Sequence, residues 1–255
     1  MIDVAELLKR PSVEKAMATL TNSSNRPVTV KHVSQWVKTQ PADPEFLPGA
    51  AYVRTEHGDD IYVADVLPEH MLIHELIHPT LFAEGYPDVR VSEGAAYRFT
   101  SEKRQWFIGY LDGILNQLEH HEVHRRMAED FGLDMVPYFR FKGEHSSAQL
   151  TQIIRTQPAN NWLSRQKESI DILEMMPYRV HVWKSLNEYE RYSPQTYSRC
   201  KRMFEIVQSM SFKAPHEAQA TYRAIRDEVI RLGEEFRMDE QLNDLWRAMD
   251  FPLES

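Results

Sequence analysis

The sequence predicts an α+β fold that is predominantly helical, with a small antiparallel sheet or hairpin packed on one helix and a helical C-terminal half. Three observations support this prediction. Apolar residues recur at helical spacing in most of the chain. β-forming residues flank a turn in one stretch, between residues 51 and 65. The chain is 42% hydrophobic and 27% charged, which is ordinary for a soluble globular protein of 255 residues.

The N-terminal stretch predicts a helix, a loop and a short strand. Residues 3 to about 21 have helical spacing, with a break at Pro11. Asn22–Pro27 has the composition of a turn, and Val28–Val30 fits a short strand. Residues 41–48 contain three prolines and predict a loop that leads into the β-forming stretch.

The β-forming stretch predicts a hairpin that leads directly into a helix. Ala51–Arg54 and Ile61–Asp65 flank the Gly- and Asp-containing turn Glu56–Asp60. Pro68 suits the first turn of a helix, and Glu69 would lie near the positive end of the helix dipole.

The helix after Pro68 contains the pattern H-E-x-x-H, as His74-Glu75-Leu76-Ile77-His78. Residues four apart lie on one face of a helix, so His74 and His78 can bind one metal ion. Glu75 is rotated by about 100° from His74 and can reach a water bound to that ion. Apolar neighbours predict that this helix is buried: Leu72, Ile73, Leu76 and Ile77. The pattern fits zinc-assisted hydrolysis with Glu75 as general base, and the alternative is a buried helix whose histidines make ordinary hydrogen bonds.

A strand followed by Leu72–His78 resembles the gluzincin-like core of zincin metallopeptidases. The resemblance implies Zn²⁺ as cofactor and hydrolysis of peptide bonds in a peptide or protein substrate. In such peptidases a strand beside the metal helix commonly binds the substrate backbone. Pro79 departs from the pattern, since most zincins continue the helix at this point. It predicts a kink or an end of the helix at His78, which would alter how that imidazole is aimed.

A third metal ligand is expected from the next strong helix, from Glu102 to about Asp130, because catalytic zinc usually takes three protein ligands. On a helical wheel this segment has two ridges. The first is apolar and contains Phe107, Leu111, Ile114, Leu115 and Leu118. The second contains Asn116, His120, Val123 and Met127, and Glu119 lies between the two.

Three interpretations of this helix remain open. His120 could complete a three-histidine site, or Glu119 could complete a two-histidine, one-glutamate site as in gluzincins. The third interpretation is a solvated helix end whose charged side chains do not bind the metal. Asn116–His120 resembles an N-x-x-x-(D/H) element that follows H-E-x-x-H in some bacterial metallopeptidase-like proteins. That resemblance favours His120 as ligand, with Asn116 as a supporting residue.

Four further residues are candidates for roles in the site. Glu93, within Ser92–Phe99, faintly resembles the E-x-x-A-x-x-F element of small intracellular zincins. Its gap from His78 is short, and a carboxylate at a helix start is the preferred interpretation. Three side chains have the chemistry to stabilise an oxyanion, and the sequence favours none of them: Tyr97, His121 and His124.

The C-terminal half predicts helices with no chemical motif. The predicted helices are Ser164–Met175, Val180–Tyr192, Pro194–Ser209 and His216–Arg237, with Pro177, Pro194 and Pro215 near the breaks. A plausible boundary precedes them at Lys142–Ser147. The expected organisation is an N-terminal helical and extended segment at 1–45, a zincin-like metal-binding core at 46–145 and a helical region at 146–255, or one continuous domain.

Charge and cysteine content exclude several classes of function. The formal net charge of −8 argues against a general nucleic-acid binder. The one cysteine, Cys200, rules out an intramolecular disulfide and a cysteine-based zinc site.

The N-terminus lacks the pattern of a secretory signal, and no run of eighteen apolar residues occurs, so we expect a cytoplasmic protein that does not associate with membranes. A protein partner could bind the helical C-terminal half. The competing functions are a catalytically inactive zincin-like binding or regulatory protein, and a helical interaction module with an accidental motif.

Overall fold

The computed structural model describes residues 2–24, 26–37, 50–87, 90–91, 101–140, 162–180, 182–235 and 240–253. Within them the helices include α1 (Val4–Leu7), α2 (Pro11–Ser23), α3 (Val33–Val37), α4 (Glu69–Ala83), α5 (Ser101–Glu129), α6 (Trp162–Met175), α7 (Trp183–Tyr192), α8 (Pro194–Ser209), α9 (Pro215–Glu235) and α10 (Glu240–Arg247). The strands are β1 (Ile2–Asp3), β2 (Val28–His32), β3 (Ala50–Thr55), β4 (Gly58–Val63), β5 (Val66–Leu67), β6 (Arg90–Val91) and β7 (Met249–Asp250). The predicted α+β, predominantly helical fold is confirmed.

The chain divides into two compact units. One comprises Met1–Tyr86, Val123–Leu133 and Glu254–Ser255, and the other comprises Pro87–Glu122 and Asp134–Leu253. The three-segment organisation expected at 1–45, 46–145 and 146–255 stays a prediction.

The predicted hairpin is present in the first unit. β3 and β4 pair antiparallel, with Ala50 opposite Val63 and Thr55 opposite Gly58. The connecting turn is therefore two residues long, shorter than the predicted Glu56–Asp60. The Asp59 amide donates a hydrogen bond to the Pro27 carbonyl over 2.9 Å. A Cβ at Gly58 would collide with that same carbonyl, so only glycine fits there.

β4 is the central strand of the three-stranded sheet, whose order is β2-β4-β3. The predicted strand at Val28–Val30 extends to His32 and pairs with β4 in parallel. Every residue of β4 is buried, including Asp59 and Asp60. Burying a carboxylate is costly unless it is paired. Asp60 lies 2.6 Å from Lys31 Nζ, and Asp59 accepts a hydrogen bond from the Tyr52 hydroxyl over 3.1 Å.

α4 packs against α2 and against the hairpin strands β3 and β4. It buries Leu72, Ile73, His74, Leu76, Ile77, His78, Pro79, Thr80 and Leu81. Each fully buried Leu or Ile side chain contributes about 1.5–3 kcal/mol relative to an exposed one, so packing rather than propensity holds this helix in place. Pro68 is its N-cap and Glu69 its first residue, as its sequence predicts to within one position.

The expected end of the helix at His78 is wrong, because α4 continues through Pro79 to Ala83. Pro79 has no amide hydrogen to donate and weakens the helix locally. The residues after it compensate, since Thr80 and Leu81 are buried and the Thr80 hydroxyl donates to the Leu76 carbonyl over 2.8 Å. Tertiary packing therefore overrides the local preference of proline.

The second unit contains the predicted C-terminal helices. α8 has the predicted bounds, and α6, α7 and α9 differ from prediction by three residues or fewer at each end. Pro194 and Pro215 are the first residues of their helices, as predicted. α10 and the short strand pair β6–β7 were not predicted. The core of this unit includes Ile172, Tyr189, Met203, Ile225, Trp246 and Phe251.

Among the described residues, none of the helices combines the length and the apolar character that a membrane-spanning segment requires. Several predicted features lie outside the described residues. These are the loop at 41–48, Glu93, Tyr97 and the boundary at Lys142–Ser147.

Candidate metal centre

Two histidines of α4 lie side by side, as the H-E-x-x-H spacing predicts. His74 and His78 are 8% and 7% exposed, so both imidazoles are buried. Their Nε2 atoms are 3.2 Å apart, and their ring centroids are 4.9 Å apart. Four-residue spacing places both rings on one face of the helix, and the rings converge on each other.

α5 supplies a third imidazole to this pair. One ligand nitrogen from each of His74, His78 and His120 lies within 4.8 Å of the other two. His120 is 8% exposed. The three side chains together form a buried group that could hold a metal ion.

Gln117 orients the third imidazole. The His120 Nδ1 atom lies 3.0 Å from Gln117 Oε1. An amide oxygen only accepts hydrogen bonds, so Nδ1 carries the hydrogen and Nε2 keeps the lone pair that a metal requires. Histidine ligands in metalloproteins commonly have such a partner on the other ring nitrogen. Sequence analysis missed Gln117, and its i, i+3 spacing from His120 on a helix is the pattern that could have revealed it.

The donor set fits zinc. Two nitrogen ligands of a tetrahedral zinc ion, each about 2.0–2.1 Å from the metal, lie about 3.3 Å apart. The Nε2 atoms of His74 and His78 are separated by almost this distance. Imidazole is a preferred zinc ligand, and three protein ligands leave one position for a reactant. A hydrogen bond between two neutral imidazoles has a similar length, and it is the contact that the alternative interpretation of the motif predicts.

The carboxylates near the motif take different positions. Glu75 is half-buried on α4, directly after His74. Glu119 is half-buried on α5 and is not in the ligand group found among the described residues, which contains His120. Asn116, which the sequence suggested as a supporting residue for His120, is exposed. The hydrogen-bond partner of the His120 ring is the next residue, Gln117.

A fourth histidine lies close to the group. His124 follows His120 by one helical turn and is 6% exposed. Its ring centroid is 5.9 Å from that of His74. His121, which was also a candidate for oxyanion stabilisation, is half-buried with its ring against Phe204, 6.2 Å between centroids. The sequence offered His124 only as a candidate for oxyanion stabilisation. The H-x-x-x-H spacing of His120 and His124 is the feature that could have revealed it as a neighbour of the other imidazoles.

The start of α4 is held by a polar contact with α2. Arg10 Nη1 lies 2.5 Å from Glu69 Oε2, and the Ser12 hydroxyl donates to Glu69 Oε1. Burial raises the pKa of Glu69, but the hydrogen bonds from Ser12 and Arg10 outweigh it and hold that pKa below its ordinary value. Glu69 is thus a charged anchor at the positive end of the helix that carries the histidines.

An open cleft of about 530 Å³ borders another face of α4, along Leu76, Ile77 and Thr80. Charged side chains in its wall are paired with one another. Arg126 binds both carboxylate oxygens of Glu84 over 3.0 and 2.5 Å, and Arg125 lies 2.6 Å from Glu129. The Arg126–Glu84 pair connects the end of α4 to the end of α5, whereas Arg125 and Glu129 both lie on α5. Among the described residues, the imidazoles do not line this cleft.

Comparison of the chain with protein-family models, with curated proteins and with solved structures found no match.

Proposed function

We propose that this chain is a zinc-dependent metallopeptidase of the zincin type, which hydrolyses peptide bonds. The observation that carries the proposal is the group of three buried imidazoles, His74, His78 and His120, with Glu75 adjacent to His74 on the same helix. Three neutral nitrogen ligands beside a carboxylate are the donor set of a hydrolytic zinc site.

Each residue has a distinct role in this proposal. His74, His78 and His120 bind the zinc ion, and Gln117 holds the His120 ring in the tautomer that can bind it. The bound zinc ion supplies Lewis acidity, which polarises a carbonyl and acidifies water near neutral pH. Glu75 accepts the proton of the attacking water and passes it to the leaving amine. The substrate is a peptide or protein, and the proposed location is the cytoplasm.

A second function is favoured by one observation. His124 is buried and its ring lies 5.9 Å from His74. Four protein ligands close a zinc site to substrates, as in structural zinc sites. A catalytically inactive, zincin-like binding or regulatory protein is therefore the alternative.

The test compares wild type with Glu75→Gln, and Glu119→Gln serves as a matched control on α5. We expect about one zinc per chain in all three proteins, measured by mass spectrometry of the metal. We expect wild type and Glu119→Gln to cleave members of a quenched fluorescent peptide library. Glu75→Gln should lose on the order of 10²–10⁴-fold in kcat/KM, because general base catalysis contributes that much.

Each contrary result has a separate meaning. If wild type contains no zinc, the contact between His74 and His78 is an ordinary hydrogen bond and the proposal is overturned. Zinc without cleavage of any peptide would support the inactive alternative. Cleavage by Glu75→Gln at the wild-type rate would remove Glu75 from the mechanism.

A further inference from the structure

Both helices of the site carry two histidines at a spacing of four residues. On α4 these are His74 and His78, and on α5 they are His120 and His124. All four imidazoles are buried, between 6% and 8% exposed. Residues four apart share one face of a helix, so His124 lies on the same side of α5 as the third ligand.

His124 lies slightly farther from His74 than a second ligand of the same metal ion would. Two imidazoles that bind one tetrahedral zinc ion through Nε2 have ring centroids about 5 Å apart. The His74 and His78 centroids are 4.9 Å apart, and the His74 and His124 centroids are 5.9 Å apart. A difference of this size is within reach of a rotation about the side-chain torsions of His124.

We propose that His124 is a fourth, exchangeable metal ligand, which occupies the position that a reactant would need. This inference rests on the proposed function, because it describes the regulation of the same zinc site. With His124 bound, four neutral imidazoles surround the metal and the site is closed. An incoming anionic or carbonyl ligand would have to displace His124, so its apparent affinity would be its intrinsic affinity multiplied by the fraction of sites that are open.

The first test uses the wild-type protein and needs no variant. X-ray absorption at the zinc edge counts the imidazoles bound to zinc in the resting protein. We expect four imidazoles, and three after saturation with azide, a small anion that binds metals. A count of three in the resting protein, with oxygen as the fourth ligand, overturns the inference and leaves the proposed function intact. Absence of bound zinc overturns both.

The second test uses His124→Gln, with His121→Gln as control, because His121 is a half-buried neighbour whose ring lies against Phe204. Chelator competition should show that His124→Gln binds zinc more weakly than wild type, by at least the roughly 10–100-fold that loss of a hydrogen-bonding partner of a metal ligand costs. With Co²⁺ in place of zinc, its absorption spectrum should differ from that of wild type. Azide should bind the cobalt form of His124→Gln at least severalfold more tightly, because its internal competitor is gone.

The control should match wild type in zinc affinity, cobalt spectrum and azide affinity. Identical values for His124→Gln and wild type in all three measurements would overturn the inference. Tighter zinc binding by the variant would overturn it as well. Circular dichroism establishes that the variants are folded, and the wild-type count of imidazoles decides the question if they are not.

Discussion

Arg10 Nη1 lies 2.5 Å from Glu69 Oε2, a contact that joins the residue before α2 to the first residue of α4. These two residues are 59 positions apart in sequence. The contact fixes the start of the helix that carries both histidines of the H-E-x-x-H pattern. Its strength depends on the charge of Glu69, and so on pH.

Glu69→Gln should lower the free energy of unfolding by about 1 kcal/mol at pH 7, because the contact is only partly buried. The pKa of Glu69 is below its ordinary value of 4.5, so the contribution is complete above about that pH. It is lost as the pH falls through the lowered pKa. Urea unfolding of wild type and variant from pH 7 to pH 2 measures the difference. Glu129→Gln, which breaks a more exposed pair with Arg125, should cost about 0.3–0.5 kcal/mol. The prediction would be contradicted if the difference in unfolding free energy between wild type and Glu69→Gln grew as the pH falls.

Zinc should stabilise the folded protein if the imidazole group binds it. At a free zinc concentration 100 times the Kd, the gain is about 2.7 kcal/mol, because ligand binding shifts the unfolding equilibrium. For a chain of this size the melting temperature should rise by roughly 5–10 °C. Differential scanning fluorimetry with zinc and with a chelator measures this shift. His78→Ala should remove most of the shift, and an equal shift in that variant would place the metal elsewhere.

Pro79→Ala should raise the free energy of unfolding by about 1–2 kcal/mol. Proline inside a helix costs about 3 kcal/mol relative to alanine, and loss of the buried ring offsets part of the gain. Zinc affinity should change by less than about threefold, because α4 already continues past His78. Pro68→Ala, at the N-cap, is the control and should show no such gain. Destabilisation by Pro79→Ala would contradict the prediction, because the packing of the proline ring would then outweigh the helical hydrogen bond that alanine restores.

Tyr189→Phe should destabilise the protein by about 1.5–3 kcal/mol. The Tyr189 hydroxyl donates to Asp171 Oδ2 over 3.1 Å, and both side chains are buried. Hydrogen bonds to buried charged groups have this magnitude. Tyr192→Phe on the same helix is a matched control, because Tyr192 is 54% exposed and should change stability by less than about 0.5 kcal/mol. Equal effects of the two substitutions in chemical denaturation would refute the prediction.

Local patterns predicted most of the elements correctly. The hairpin follows from β-forming residues around a turn, and α5 was expected from Glu102 to about Asp130 and extends from Ser101 to Glu129. Such features depend on neighbours in sequence, which is why a single chain reveals them. The convergence of His74 and His78 follows in the same way from their spacing on one helix.

Features that depend on distant parts of the chain could not be predicted. The parallel pairing of β2 with β4 joins residues about thirty positions apart. The continuation of α4 through Pro79 depends on packing against α2 and the hairpin, which overrides a local rule. The sequence favoured His120 as third ligand and kept Glu119 as the alternative, because a helical wheel gives only relative angles and not the rotation of α5 about its axis.

The mixed pairing of the central strand has a consequence for how quickly each part of the sheet forms. β3 and β4 are joined by two residues, and hairpins close within about 1–10 μs. β2 can join β4 only after the intervening chain has returned, which costs more loop entropy. We therefore expect Val53→Ala, in β3, mainly to slow folding and Val30→Ala, in β2, mainly to speed unfolding. Both valines are half-buried, and stopped-flow kinetics of the two variants measures these effects. The expected result means that the β3–β4 hairpin, against which α4 packs, forms before β2 completes the sheet.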